Sequence, residues 1–263
     1  MVMQTDLNKI RRYELKYTIS EAKARAIRDY IQPIFSTDPY VPEGDKGYTV
    51  NNLYLDTHDL RFYYDVKFRR LTRFKPRMRY YGTDAPKELW LEIKNKHNNV
   101  IWKKRRVIPI EAWPHVLDVQ ASERRESKIE ALPQTFEELV QIFGAEPVLH
   151  VRYFREPYVS DLDTYGRITF DRSLRYRLAN GSYEVHARED EMVYYDDAVT
   201  TRSWDSPVIL EIKVETIMPF WASKIIKRFE LMQRGFSKYC YVWDKSQEYS
   251  GVRNSAVGQR FLF

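Results

Sequence analysis

The chain has 263 residues, 43% hydrophobic and 15% aromatic, which is enough apolar material for one large domain and argues against wholesale disorder. Its 43 Lys and Arg against 37 Asp and Glu leave a formal charge of +6, a mild bias towards anionic partners without the basic blocks of a solvent-facing nucleic-acid footprint. The single cysteine, Cys240, excludes an internal disulfide or a cysteine-based zinc site and fits a reducing compartment.

Residues 10–18 read as a first strand, and Ser20 as the N-cap of a helix running to about Pro33. Pro39, Pro42, Gly44 and Gly47 make 36–47 a loop. Residues 48–56 read as a strand, and Thr57 or Asp59 caps a short helix whose apolar side is Leu60, Phe62, Tyr63 and Val66. Segments 72–81, 87–96 and 100–110 form three consecutive strands with turns at 82–84 and 97–99, a β-meander. Residues 111–143 are helical in character, broken at Pro114 and Pro133. A long strand from Pro147 to about Val159 pairs as a hairpin with 166–173, and short strands are expected around 184–186 and 191–195. Residues 207–216 form another strand, Pro219 opens a helix to about Gln233 that Gly235 ends, and 237–243 reads as a last strand. The strands follow one another through turns, without regular βαβ alternation or any linker. The reading is an α+β, mainly antiparallel fold in a single domain, 1–263. No stretch approaches the roughly 18 apolar residues of a membrane span, and the N-terminus lacks a signal-peptide core. The chain is therefore expected to be cytoplasmic, with any place at the inner face of a membrane supplied by a separate membrane protein partner.

The strands carry an anomaly. Glu14-Leu-Lys16, Arg77-Met-Arg79, Glu92-Ile-Lys94, Lys104-Arg-Arg106 and Glu211-Ile-Lys213 each put two charges on one strand face, because residues i and i+2 point the same way. Once, this is a surface strand. Five times, it suggests a sheet curled around a charged interior that takes a polyanion.

Arg77 and Arg79 offer planar bidentate donors to phosphate oxygens, or simply line a solvated strand face. The cations just upstream, Arg61, Lys67, Arg69, Arg70, Arg73 and Lys75, read as a solvated basic surface. Glu92 and Glu211, each followed two residues later by a lysine, are either ion-pair partners or ligands for a hard metal. Ser237-Lys238 could bind phosphate or be an ordinary turn. The five histidines are scattered, and there is no Walker A loop, GxGxxG or GxSxG. Any chemistry must come from positioning and electrostatics, as in phosphoryl transfer.

The segments 12–17, 52–57, 77–82, 91–94, 104–107, 210–213 and 236–239, in that order, together resemble the VTC domain of polyphosphate polymerases, within the triphosphate tunnel metalloenzymes of the CYTH-like superfamily. The resemblance covers about residues 8–245. It implies an eight-stranded antiparallel β-barrel tunnel with peripheral helices. It implies transfer of the γ-phosphate of ATP onto a growing inorganic polyphosphate chain with Mn²⁺ or Mg²⁺, and no nucleic-acid partner. Carried over by position, Arg77, Arg79, Lys94 and Arg155 match the catalytic cations. Lys16, Lys104, Arg106, Tyr153, Arg167, Ser237 and Lys238 match phosphate-binding, lid and tunnel-end positions. Glu211, with Glu92, matches the metal site. Eukaryotic members have a basic residue two before the serine, where this chain has Gly235 beside Arg234. The alternatives are a tunnel-fold triphosphatase or nucleotide phosphohydrolase using Glu14, Glu92 or Glu215 to position water, and a non-catalytic polyanion-binding module.

Overall fold

The structure is a computed structural model and describes residues 13–97, 100–117, 135–196, 207–215, 217–233 and 236–249. Ser20 caps α1 (Glu21–Ile31) by accepting from Lys23 N at 3.1 Å, after strand β1 (Tyr13–Ile19). A three-residue strand, β2 (Phe35–Thr37), lies where the sequence reads as loop. Strand β3 (Tyr48–Asp56) ends in a knot. The buried Asp56 carboxylate accepts from Thr57 N, Phe62 N and Tyr63 N at 2.8 Å each, which starts α2 (Arg61–Lys67). Strands β4 (Thr72–Tyr81), β5 (Glu88–His97) and β6 (Val100–Pro109) are the expected meander. Of the expected helical stretch, two short 3₁₀ turns and α3 (Phe136–Phe143) are seen, and 118–134 lie outside the described residues. A Thr135/Glu138 capping box starts α3, and Gly144 ends it in the left-handed region at φ 59°.

Strand β7 (Glu146–Ser160) and β8 (Arg167–Leu178) form the long hairpin, followed by the two-residue β9 (Val193–Tyr194) and β10 (Val208–Val214). No strand forms at 184–186. Helix α4 (Phe220–Arg228) is shorter than expected, and 238–249 are a helix, α5 (Lys238–Tyr249), where the sequence suggests a strand. Among the described residues, no helix is long and apolar enough to cross a membrane.

Among the described residues, all strands join one sheet in the order β1-β10-β8-β7-β3-β4-β5-β6, with β2 and β9 at its margins, and the pairings are antiparallel. The sheet is strongly curled. Lys94 on β5 and Glu14 on β1, near opposite ends of that order, touch at 2.7 Å. The result is an eight-stranded half-barrel rather than a hydrogen-bonded closed ring. Two cores cover its convex side. Leu53, Met78, Leu91 and Ile93 pack with α3, while Tyr17, Leu210 and Ile212 pack with α1 and α4. A third core sits on the concave side at one end, where Tyr239, Cys240 and Val242 of α5 meet Tyr54, Tyr153 and Ile209. Tyr239 donates to Asp56 at 2.6 Å and stacks on Tyr54, which ties α5 to the end of β3.

Candidate phosphate-binding tunnel

Strand alternation decides which charges face inwards. On β1, Glu14 and Lys16 point to the concave side, while Leu15 and Tyr17 join the convex core. Lys16 Nζ lies 2.8 Å from Glu14 and 4.0 Å from Glu211. Glu211 is 4% exposed and also meets Lys213 at 2.9 Å and Arg155 at 3.8 Å. Burial alone would raise its pKa, but Lys213, Lys16 and Arg155 hold it well below the usual carboxylate range.

Arg77 and Arg79 point inwards from β4. Arg77 donates to Glu92 at 2.8 Å and reaches the Tyr54 hydroxyl at 3.4 Å; Arg79 donates to Asn52 at 2.9 Å. Glu92 is 1% exposed and is closed in by Arg77, Arg79, Lys103 and Arg105. Burial pushes its pKa up and these cations push it down further, so it stays ionised. Arg77, Arg79, Lys103 and Arg105 all lie within ion-pair distance, so the structure shows Glu92 as an ion-pair partner, the other of the two roles its sequence position allows. Lys94 lies beside Glu14, which is held at about 2 because Lys16 and Lys94 outweigh burial and the nearby Glu211.

On β6 the expectation has the wrong face. Arg105 pairs with Glu92 and Lys103 with Lys94, so Lys103 and Arg105 point inwards. Lys104 and Arg106 point to the convex side, where Arg106 pairs with Glu137 of α3. A one-residue choice on a strand moves every side chain to the other face. Apolar residues lie on both faces of β6, so alternation alone cannot pick the inner one.

Arg155 on β7 forms a two-pronged pair with the fully buried Asp171 of β8, at 2.7 and 2.8 Å. Lys238, at the start of α5, lies 2.6 Å from the same Asp171. Tyr153 is buried beneath them; burial raises its pKa, but Arg155, Arg79 and Lys238 bring it below the ordinary tyrosine value. Ser237 accepts from Lys75 at 3.0 Å. Arg167 is at the exposed start of β8, opposite Lys213, on the rim. Arg234 and Gly235 lie outside the described residues. The concave side thus brings together Lys16, Arg77, Arg79, Lys94, Arg155, Tyr153, Ser237, Lys238 and Glu211. It adds Lys75, Lys103, Arg105, Asp171 and Lys213. Asp171 shares the face of Arg167 and Thr169, an alternation that could have marked it.

Among the described residues, no group of three or more His, Cys, Asp or Glu is arranged to hold a metal. Glu211 fits a different mode. Mg²⁺ and Mn²⁺ favour oxygen ligands, and Mg²⁺ commonly binds through one or two carboxylates while substrate phosphates fill other positions. A buried carboxylate kept ionised among inward-facing cations suits that sharing.

A family model described as VTC domain matches residues 11–244. No curated protein matches the chain. Among solved structures, the chain is similar to a candidate adenylate cyclase from Vibrio parahaemolyticus (9% identity, 90% of this chain and 99% of that one, TM-score 0.47). It is also similar to the PH1819 protein from Pyrococcus horikoshii OT3 (13% identity, 90% and 99%, TM-score 0.46). A third is the capping-enzyme triphosphatase of Mimivirus (9% identity, 82% and 88%, TM-score 0.30).

Proposed function

The chain belongs to the VTC domain family, and from that premise we propose that it is a single-domain, metal-dependent enzyme that binds the triphosphate of ATP on its concave face and passes the γ-phosphate to an inorganic polyphosphate chain. The observation that carries the reading is the excess of inward cations from β1, β4, β5, β6, β7, β10 and α5 over the carboxylates Glu14, Glu92, Asp171 and Glu211. Such an excess in a half-buried space favours a polyanion.

Arg77, Arg79, Lys94 and Arg155 hold and align the reacting phosphates, each oriented by a carboxylate or amide already in place. Phosphoryl transfer asks mainly for such positioning and charge stabilisation. Lys103 and Arg105 take the part that the resemblance gives to Lys104 and Arg106. Tyr153 supports Arg155 and Lys238 from below. Lys16, Ser237, Lys238 and Arg167 lie along the path of the chain. A divalent cation, held by Glu211 together with substrate oxygens, would neutralise charge on the phosphates.

A hydrolytic reading rests on Glu14, an ionised interior carboxylate that could orient a water. Its pKa of about 2 suits it to orient rather than to abstract a proton. Incubation with ATP and Mn²⁺ separates the readings. Polymerisation yields long polyphosphate; hydrolysis yields free phosphate without polymer; a binding module turns nothing over. Full activity in Arg77→Ala would sink the assignment.

A further inference from the structure

Strand alternation places aromatic rings on the concave face just beyond the last arginine of β4. Tyr81 shares that face with Arg79 on β4, Tyr48 shares it with Tyr54 on β3, and Trp90 shares it with Glu92 on β5. Pairing brings the three together. Trp90 stands directly opposite Arg79. Tyr81 follows Arg79 by two residues and so lies one diagonal from Trp90, a separation that aromatic side chains bridge. The Tyr48 and Tyr81 rings meet edge to face, with centroids 5.5 Å apart and planes at 86°. The group sits at one end of β4; the contact between Lys75 and Ser237 of α5 lies at the other.

A lone exposed tyrosine is ordinary surface. This group differs in two ways. The Arg105 guanidinium lies over the half-buried Trp90 ring, 3.5 Å from its centroid, and its own side chain is still 40% exposed. Tyr81, braced by Tyr48, remains 42% exposed. Aromatic rings and guanidinium planes beside a cationic groove are the surfaces on which nucleobases stack. The spacing fits as well. By strand rise, Arg79 is roughly 7 Å from Tyr81 and Arg77 roughly 7 Å further. A base resting on Tyr81 or on the Trp90–Arg105 stack would leave its phosphates beside two guanidinium groups that Asn52 and Glu92 already orient.

We propose that Tyr81 and the Trp90–Arg105 stack, braced by Tyr48, form a nucleobase platform, so that a nucleoside triphosphate lies with its base at this end of β4 and its phosphates running inwards along Arg79 and Arg77. Inorganic triphosphate has no group to place there, so the platform distinguishes a nucleotide from a bare phosphate chain. The inference rests on the concave face being a triphosphate site.

The test is calorimetric titration, at one pH and one salt concentration, with a β,γ-imido analogue of ATP and with inorganic tripolyphosphate. In Tyr81→Ala, affinity for the nucleotide should fall about tenfold, the scale of one lost base–aromatic stack, while affinity for tripolyphosphate should stay within about twofold of wild type. Retained tripolyphosphate binding also shows that the variant is folded. Tyr81→Phe keeps the ring and should bind both ligands as wild type does. Trp90 supplies a second readout: the nucleotide should quench tryptophan fluorescence more than tripolyphosphate does, and Trp90→Phe should remove the difference. Equal loss for both ligands in Tyr81→Ala, or no loss for the nucleotide, overturns the platform while leaving the tunnel reading intact, because wild type still binds tripolyphosphate. Failure of wild type to bind either ligand overturns the tunnel reading and the platform with it.

Discussion

Glu92 accepts a hydrogen bond from Arg77 at 2.8 Å while Arg79, Lys103 and Arg105 lie within ion-pair distance of it. A single carboxylate therefore keeps a cluster of guanidinium and ammonium groups together before any substrate arrives. Removing it leaves those cations repelling one another. Glu92→Ala should lose about 3 kcal/mol of stability, the cost of breaking a buried ion pair. Tripolyphosphate should raise the Tm of the variant more than that of wild type, since the anion replaces the missing charge. Thermal denaturation with and without the ligand reads both effects, and an equal shift in the two proteins would count against the account.

The face of β6 is tested by paired variants. Lys103→Ala with Arg105→Ala should lower phosphate-chain affinity at least tenfold, as loss of two charge-assisted contacts of about 1 kcal/mol or more each predicts. Lys104→Ala with Arg106→Ala should leave affinity within about threefold, at the cost of the Arg106–Glu137 pair on the convex side. The reverse ranking would return the site to the other face.

Lys75 predicts a pH dependence. Burial and neighbouring cations bring it from 10.5 to about 7, so above that pH it is largely neutral in the free protein. A bound phosphate favours the ammonium and raises its pKa, so binding takes up a proton and weakens as pH rises through and beyond about 7. Calorimetry at pH 8 in buffers of different ionisation enthalpy should show this uptake, and Lys75→Met should reduce it. The same shift makes stability rise with pH from about 7 to 10.5, where the unfolded chain binds the proton that the folded one has released.

Glu211→Gln keeps the size of the side chain but removes the charge that would share a divalent cation with substrate. Half-maximal turnover should then need about tenfold more Mn²⁺, the scale of losing roughly 1.4 kcal/mol of metal binding. Unchanged Mn²⁺ dependence would take the metal away from Glu211.

The sequence alone determined much of this protein. Strand β4 spans the segment read from alternation, and β3 ends at Asp56 as read. Four of the five paired-charge triplets, those at Glu14, Arg77, Glu92 and Glu211, face inwards together, because a strand whose other face is aliphatic has only one way to bury itself. Tertiary structure decided the rest. With apolar residues on both its faces, β6 took its orientation from pairing with Glu92 and Lys94. The aromatic and β-branched run at 237–243 has strand character locally, yet it is helical where Lys238 meets Asp171 and Tyr239 meets Asp56. The division between compensated and uncompensated charges also depends on contacts such as Lys94–Glu14, which join strands far apart in sequence and exist only once the sheet has curled. Local patterning sets which residue types share a strand face; which charges meet across that face is a property of the curled sheet.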